Sequence, residues 1–414
     1  MLAKLSTEVK QYALITANYW AFTLTDGALR MLVVLYFHQL GYSPLEIAML
    51  FLFYEIFGVV TNLLGGWLGS RWGLNHTMHL GLGLQVIALS MLLVPTTWLT
   101  VIWVMGAQAL SGIAKDLNKM SAKSAIKLLV PDEQQTSLYR WVAVLTGSKN
   151  TLKGVGFFLG GLLLTLLGFQ HAVLVMVVAL AIVWLLSMLS LKNNLGKSKS
   201  KPKFSVLFSK TRQINCLSAA RLFLFAARDV WFVVALPVFL STQLQWSHWQ
   251  ISAFLASWII AYGVVQGFAP KFTKKTTQSA QSAAFWCVCL AFIPLLIFIA
   301  MWLSQQYLVG DNVGENYVGE NFAITVVLLF GLGIFGFFFA VNSSLHSYLI
   351  VRMADADKVS TDVGFYYMAN ASGRLLGTVL SGLVFQIYGF LACLLISSLF
   401  LFISVLLVRK IDER

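Results

Sequence analysis

Long apolar runs separated by short polar segments dominate the chain from end to end. An α-helix needs roughly 20 mostly apolar residues to cross the hydrocarbon core of a bilayer, and the runs have that length. The pattern therefore predicts an all-α membrane protein with twelve spanning helices, at about 12–38, 46–70, 77–95, 98–118, 138–168, 170–191, 213–241, 248–270, 281–303, 322–350, 360–388 and 389–408.

The longest basic interruption lies in the middle of the chain, between the sixth and seventh runs. Residues 192–212 are rich in Lys, Arg and Ser, a composition typical of a flexible linker. Phe57-Gly58-Val59-Val60 in the second run also has a counterpart in the eighth, Tyr262-Gly263-Val264-Val265. Repeated halves are typical of transporters. We therefore predict a six-helix bundle at 1–191, a basic cytoplasmic linker at 192–212 and a second six-helix bundle at 213–414.

Charge is scarce and unevenly distributed. Only 11% of the 414 residues are charged and 58% are hydrophobic, which is too much apolar surface for a soluble domain. The net charge is +13. Lys and Arg occur in every second loop along the chain instead of forming one basic patch, so no nucleic-acid partner is expected. The alternation predicts that both termini are cytoplasmic. Residues 1–11 have no apolar core or small-residue cleavage site, so the first run is expected to remain a permanent helix.

Twelve charged residues interrupt the apolar runs, where a charge costs about 2.5–3.5 kcal/mol near the bilayer centre. Eight of them are cations and four are carboxylates. A site for a cation would have the opposite bias, so this excess predicts a small anion as the substrate. The cations are Arg30, Lys115, Lys119, Lys149, Lys153, Arg221, Arg228 and Arg374, and the carboxylates are Asp26, Glu55, Asp116 and Asp229.

Spacing along the helices suggests how some of these charges are arranged. Asp26 and Arg30 are four residues apart, so they share a helix face and are expected to pair. Lys149 and Lys153 have the same spacing. Two like charges stacked in this way repel each other, which favours an anion beside them.

The seventh and eleventh runs raise structural alternatives. Arg221 and Arg228 lie two turns apart on one face, and Asp229 points about 100° away from Arg228, where it is expected to orient an arginine on a neighbouring helix. Snorkelling to lipid headgroups is the alternative for Arg221. Glu55 and Arg374 are typical of ion pairs that join helices.

The fourth and tenth runs carry further candidates with a structural alternative. Lys119 is expected at the cytoplasmic end of the fourth helix, with Lys123 and Lys127 in a solvated loop beyond it. Lys115 is long enough to snorkel towards the membrane surface. Asn342 in the tenth run is of the type that makes hydrogen bonds between helices.

Sequence features of an enzyme or a primary pump were not found. Cys287 and Cys289 point to different sides of a helix, so we predict neither a thiolate metal site nor a disulfide framework from the four cysteines. The glycine spacing at 331–336 matches the dinucleotide-binding fingerprint. These glycines lie inside an apolar run with no strand before it, so we predict no dinucleotide site there. With no ATP-binding loop and no nucleophile–base arrangement, we expect no cofactor and no catalysis.

The polar segment between the second and third runs, Gly65 to Asn75, reads GGWLGSRWGLN. It resembles the loop signature of the major facilitator superfamily, a Gly-x-Leu-x-Asp-Arg-x-Gly-Arg type of sequence. Gly69 stands where the aspartate is usual, and Asn75 stands near the usual basic residue, so the gating role of that aspartate does not carry over. The resemblance implies two six-helix bundles around a cavity lined by the first, fourth, seventh and tenth helices.

Four longer strings are unusually polar for membrane spans. They resemble the organoarsenical efflux permeases of bacterial arsenic-resistance operons, and this likeness covers nearly the whole chain. It implies export of an arsenylated phosphoglycerate across the bacterial inner membrane, which confers arsenate resistance. The functional partner it implies is glyceraldehyde-phosphate dehydrogenase, which makes the ester in the cytoplasm. The strings are NYWAFTLTDGALRMLVVLYFHQLGYSP (18–44), SGIAKDLNKMSAKSAIKLLVP (111–131), LTGSKNTLKGVGFFLGG (145–161) and SAARLFLFAARDVWFVVALPVF (218–239).

A role for each charged residue follows from this interpretation. Arg30 and Arg228 are expected to grip the anion from opposite halves, because guanidinium groups bind oxyanions bidentately. Asp26 and Asp229 would hold the arginines in the empty state, and Asp26 or else Glu55 would carry a coupling proton. The predicted binding residues are Arg30, Arg228, Lys115, Lys149, Lys153, Asn342, Arg221 and Lys119, and the predicted coupling or gating residues are Asp26, Asp229, Glu55 and Asp116.

Three other hypotheses remain open. The first is a major facilitator transporter for another substrate, such as a sugar phosphate, a drug or phosphate itself. The second is an anion channel, which would show a linear, non-saturating flux. The third is a membrane enzyme, which would hydrolyse the ester when purified.

Overall fold

The computed structural model describes residues 7–42, 50–129, 135–191, 211–246, 248–273, 279–308 and 315–411. These residues are almost entirely helical and contain no strand. In chain order the helices are α1 (Thr7–Gln39), α2 (Leu52–Trp72), α3 (Leu74–Ser90), α4 (Val101–Leu129), the arms α5 and α6 of one bent helix (Gln135–Ser190), α7 (Arg212–Phe232), α8 (Ala235–Thr242), α9 (His248–Phe272), α10 (Ala280–Leu308), α11 (Glu315–Met353), and the arms α12 and α13 of a second bent helix (Val359–Arg409).

Two glycines bend the longest helices back on themselves. Gly168 has φ 70° and separates α5 from α6, and Gly389 has φ 78° and separates α12 from α13. A side chain with a Cβ is strained at such positive φ, whereas glycine is not. Without the bend, a helix of this kind would be about 80 Å long at about 1.5 Å per residue, far more than a bilayer core.

The described residues contain nine helical segments that are long and apolar enough to cross a membrane. Two of them are the bent helices, each with two arms, and α7 continues through α8 as one of the nine. The charged α4 is not among them, although it has 29 residues. When each arm is counted separately and α4 is added, the described residues contain twelve helices of spanning length. The all-α prediction is confirmed.

Several predicted boundaries differ from the structure. α4 continues past the apolar run to Leu129, so Lys119 and Lys123 are helical and Lys123 does not lie in a solvated loop. The segment 304–321, which lies between the ninth and tenth predicted runs, is helical up to Leu308 and again from Glu315. Residues 309–314 of that segment and 192–210 of the predicted linker lie outside the described residues, and the division into two bundles stays a prediction.

For clarity, residues 7–191 are called the first half and residues 211–411 the second half. The end of the molecule at which α1 begins and α13 ends is called the basic end, after the Lys and Arg residues of its loops. α1 packs against α5 in the first half, and α7 packs against α12 in the second. Between the halves, α5 packs against α9 and α2 packs against α12.

The two halves meet closely at the basic end. A Cβ on Gly66 of α2 would lie 2.5 Å from the carbonyl oxygen of Ser360 on α12, so the two backbones touch. Tyr139 of α5 and Tyr348 of α11 place their ring centroids 4.9 Å apart across the same seam. The buried apolar core of the first half also continues into Tyr366 of α12. This conformation is therefore closed at the basic end.

Candidate functional site

A glutamate in the first turn of α2 joins the two halves. Oε1 of Glu55 lies 3.3 Å from Nη2 of Arg30 on α1 and 3.3 Å from Nη2 of Arg374 on α12. One carboxylate oxygen therefore receives guanidinium groups from both halves. Two roles were predicted for Glu55, an ion pair between helices and transfer of a coupling proton. In the described conformation it forms the ion pair.

The chain of ion pairs continues into the second half through Asp229 of α7. Its Oδ2 lies 3.4 Å from Nε of Arg374, and its Oδ1 accepts a hydrogen bond from Nε of Arg228 at 2.6 Å. The Asp229 side chain is fully buried, so both oxygens need such partners. Asp229 therefore orients an arginine on a neighbouring helix, as expected, and also holds the arginine next to it.

Asp26 does not form the predicted ion pair with Arg30. Its Oδ1 instead accepts a hydrogen bond from the Tyr54 hydroxyl at 2.7 Å, which ties α1 to α2. The Arg30 guanidinium turns towards Glu55 and lies over the Tyr54 ring, 4.7 Å from its centroid. The expectation from helical spacing was wrong because α2 offers each group a partner of its own.

The lysines of α4 share a single carboxylate. Lys119 Nζ lies 2.5 Å from Oδ1 of Asp116, and Lys115 Nζ lies 3.7 Å from its Oδ2. Lys115 Nζ also stands 3.8 Å from the centroid of the Tyr54 ring, where it interacts with the π face. One negative charge therefore serves two positive ones, and α4 contributes net positive charge to the interior.

Lys149 and Lys153 of α5 are half-buried. Neither ammonium group has an ion pair or a hydrogen bond to the described residues, and Lys153 Nζ is 6.0 Å from the centroid of the Phe157 ring. Uncompensated ammonium groups inside a membrane protein are costly. They are consistent with a negative charge that the protein itself does not supply.

Arg221 and Asn342, two predicted binding residues, form no ion pair or hydrogen bond with these charged residues in the described part of the chain. Arg221 is only 3% exposed, and its guanidinium donates to the Oδ1 of Asn370 and to the carbonyl and hydroxyl oxygens of Ser343. Asn342 is fully buried and donates from Nδ2 to the carbonyl oxygen of Ala283 at 2.8 Å. Both side chains join helices within the second half in this conformation.

This charged group is accessible to solvent. The side chains of Arg30, Glu55 and Arg374 keep 26%, 33% and 34% of their surface exposed. They are therefore not part of the packed core. We call this group the central cluster; it comprises Arg30, Lys115, Lys119, Lys149, Lys153, Arg228 and Arg374 with Asp26, Glu55, Asp116 and Asp229.

Two residues outside the predicted binding set lie beside it in the structure. Arg374 was expected to join helices through an ion pair, and it does so with carboxylates of both halves. Lys123 was expected in solvent, yet it is 3% exposed. The sequence did contain a signal for the position of Lys123. Lys115, Lys119 and Lys123 are spaced at every fourth residue, which places all three on one face if the helix continues.

Comparison with known proteins agrees with this architecture. The family model described as Major Facilitator Superfamily matches residues 15–335. The human organic anion transporter MFSD10 (TETRAN) has a similar structure, with a TM-score of 0.75 at 15% identity, covering 98% of this chain and 100% of that one.

Two further solved structures are similar at comparable levels. A bacterial homologue of the iron transporter ferroportin, in an outward-facing state with soaked iron, has a TM-score of 0.72 at 16% identity, covering 99% of this chain and all of its own. The E. coli fucose:proton symporter, FucP, has a TM-score of 0.72 at 12% identity, with the same coverage. No curated protein matches the chain. The family match covers most of the sequence, and the chain therefore belongs to the major facilitator superfamily.

Proposed function

We propose that this transporter exports a small organic anion that carries two oxyanion groups, and that the anion is an arsenylated phosphoglycerate. The single observation that carries the anion assignment is the charge of the central cluster. Seven cations face four carboxylates there, which leaves three positive charges uncompensated (7 − 4 = 3). A multivalent anion in the cavity would balance them.

The arginines of the cluster are suited to oxyanions. A guanidinium group has five N–H donors in a planar fork. Arg30 forms one ion pair, at 3.3 Å, and a quarter of its side chain is exposed. Its remaining donors are therefore available to a phosphate or arsenate group. Lys149 and Lys153 would add positive charge without a directional requirement.

Exchange of ion-pair partners provides a route to alternating access. Glu55 holds Arg30 and Arg374 in the described conformation. An oxyanion could replace the Glu55 carboxylate at these two guanidinium groups. The two halves would then prefer a different arrangement from the one that the Glu55 ion pairs stabilise. A ligand can shift a conformational equilibrium only through such a difference in affinity. Asp26, and Glu55 as the second choice, would carry a proton if transport is coupled to one.

The identity of the anion and the direction of transport are supported by the four strings that resemble organoarsenical efflux permeases. On this proposal the protein lies in a bacterial inner membrane with both termini in the cytoplasm, and it confers arsenate resistance. Glyceraldehyde-phosphate dehydrogenase supplies the ester by using arsenate in place of phosphate. The ester breaks down outside the cell, which keeps its gradient directed outward.

Replacement of Arg30 by lysine tests the proposed grip. Arg30→Lys keeps the charge but loses the fork, so we expect at least a tenfold fall in transport. Everted vesicles would receive the dehydrogenase, its aldehyde substrate labelled with radioactive phosphate, NAD and arsenate in the bath. The measurement is the initial rate of arsenate-dependent accumulation of label inside the vesicles.

Arg409→Lys, at an exposed position at the end of α13, provides the matched control and should transport normally. If Arg30→Lys transports at the wild-type rate, a bidentate role for Arg30 is excluded. If wild-type vesicles accumulate no label above empty vesicles, the proposed substrate is wrong.

A second candidate is export of another phosphorylated or organic anion. The central cluster favours it equally, because phosphate and arsenate groups have the same tetrahedral shape and similar charge. Competition separates the two possibilities: unlabelled phosphoglycerate, a sugar phosphate and inorganic phosphate would each be added to the bath. Inhibition by a sugar phosphate at a lower concentration than by phosphoglycerate would favour the second candidate.

A further inference from the structure

A second group of cations lies between the central cluster and the basic end, at the seam of the two halves. Lys123 of α4 is 3% exposed, and its Nζ donates a hydrogen bond to Oγ1 of Thr146 on α5 at 2.6 Å. The same Nζ lies 5.1 Å from the centroid of the Tyr367 ring on α12. A lysine of the first half thus contacts a tyrosine of the second.

Two neighbouring cations approach the same pair of tyrosines. Lys119 Nζ lies 4.9 Å from the centroid of the Tyr367 ring, and the Arg221 guanidinium lies 5.3 Å from that of Tyr366. The two rings are edge to face, 5.0 Å apart. Adjacent aromatic residues of α12 therefore separate cations of α4 from a cation of α7. We call Lys119, Lys123, Arg221, Tyr366 and Tyr367 the seam cluster; Lys119 also belongs to the central cluster and links the two.

Lys123 and Arg221 have only neutral hydrogen-bond partners in the described part of the chain. Lys123 donates to a threonine hydroxyl, and Arg221 donates to Asn370, Ser343 and Ser347. No carboxylate of a described residue forms an ion pair with either of them. A buried charge normally has a counter-ion, because its desolvation is costly. The seam cluster is therefore short of negative charge when the basic end is closed.

We propose that the seam cluster is a loading subsite, where Lys119 and Lys123 bind an oxyanion group of the substrate while the basic end is open. This inference rests on the proposed function, since it assumes that the cargo is an anion. Separation of α4 from α12 would uncover both ammonium groups at once, because Tyr367 is what covers them. Closure would then drive the anion out of the subsite.

The spacing of lysines along α4 supplies the next position for the anion. Lys115, Lys119 and Lys123 follow one another at steps of four residues, or about 6 Å along the helix axis. Lys115 belongs to the central cluster, next to Asp116. An anion that leaves Lys123 and Lys119 when the basic end closes therefore meets Lys115 next, without crossing a stretch of α4 that lacks positive charge.

Transport measured from each side of the membrane tests the loading subsite. The probe is labelled 3-phosphoglycerate, which is stable, and the variant is Lys123→Gln, whose amide can still donate to Thr146. Protease access to a tag after the C-terminus identifies the vesicles whose bath faces the basic end, because α13 ends there. The half-saturating concentration is measured by exchange in vesicles of each orientation.

We expect Lys123→Gln to raise the half-saturating concentration at least tenfold when the probe is added at the basic end, and less than twofold when it is added at the other end. Lys123→Arg should restore most of the affinity. Arg140→Gln, which removes an exposed cation near the same end of α5, should leave both values unchanged. If Lys123→Gln does not fold, Lys123→Met provides a second test with the same expected asymmetry.

The alternative is that Lys123 only latches the closed basic end. In that case Lys123→Gln would change the maximal rate from both sides and leave the half-saturating concentration unaltered, and this result would overturn the loading subsite. Wild-type vesicles that exchange no 3-phosphoglycerate would count against the proposed function itself. Wild-type exchange with an equal shift on both sides would overturn only the loading subsite.

Discussion

Arg374→Ala is expected to reduce transport at least a hundredfold. The substitution leaves Asp229, which is fully buried, with Arg228 as its remaining ion-pair partner, and it leaves Glu55 with Arg30. It also removes a guanidinium that the substrate would contact from the second half. Loss of one partner of a buried pair costs about 3–5 kcal/mol, and we expect less here because a third of the Arg374 side chain is exposed. The measurements are vesicle uptake and the amount of monodisperse protein after extraction.

A double variant distinguishes binding from support. Arg374→Gln with Glu55→Gln removes one charge of each sign, so it should fold better than Arg374→Ala. If Arg374 contacts the anion, the double variant folds but transports much less than Glu55→Gln alone. Transport in the double variant at the level of Glu55→Gln alone would mean that Arg374 is only a strut, as the sequence suggested. Arg409→Ala, at an exposed site on α13, should be indistinguishable from wild type.

Gly147→Leu is expected to abolish transport by preventing closure of the basic end. A Cβ at Gly147 of α5 would lie 2.5 Å from the carbonyl oxygen of Gly263 on α9, so the two helices could not pack as they do. Because this oxygen belongs to the rigid backbone of α9, the halves would have to separate. The conformation that is open at the basic end should then predominate.

Labelling of an introduced cysteine measures this shift. The four native cysteines are replaced first, and Tyr139→Cys, at a fully buried position of the seam, reports whether an impermeant maleimide can enter from the basic end. We expect Gly147→Leu to raise the labelling rate at least fivefold. Gly382→Leu, where no atom lies within 4 Å of the added Cβ, is the matched control and should change neither labelling nor transport. Unchanged labelling in Gly147→Leu would contradict the role of this contact.

The helical architecture follows from local properties of the chain. Backbone N–H and C=O groups have no water to bond in a bilayer core, so each apolar run must become a helix. Even the two sharp bends were anticipated, because the predicted boundaries between the fifth and sixth runs and between the eleventh and twelfth coincide with Gly168 and Gly389.

The end of α4 was the position at which the sequence-based prediction differed most from the structure. Apolar composition predicted its end near residue 118, but the helix continues to Leu129. Lys123 is accommodated there by Thr146 of α5 and Tyr367 of α12, two residues far away in sequence. A hydropathy pattern contains no information about such partners, so it places a lysine in water by default.

The sequence by itself determined that the chain is a helical membrane protein and that cations outnumber carboxylates within its spans, because both properties depend only on which residues occur along each run. Only the tertiary structure decided which charges pair. Glu55 joins Arg30 to Arg374, Asp26 turns to Tyr54, and Arg221 is withdrawn into the second half. The physical reason is that an ion pair in a low-dielectric interior depends on distances of a few ångströms between helices, and those distances are set by how the helices pack.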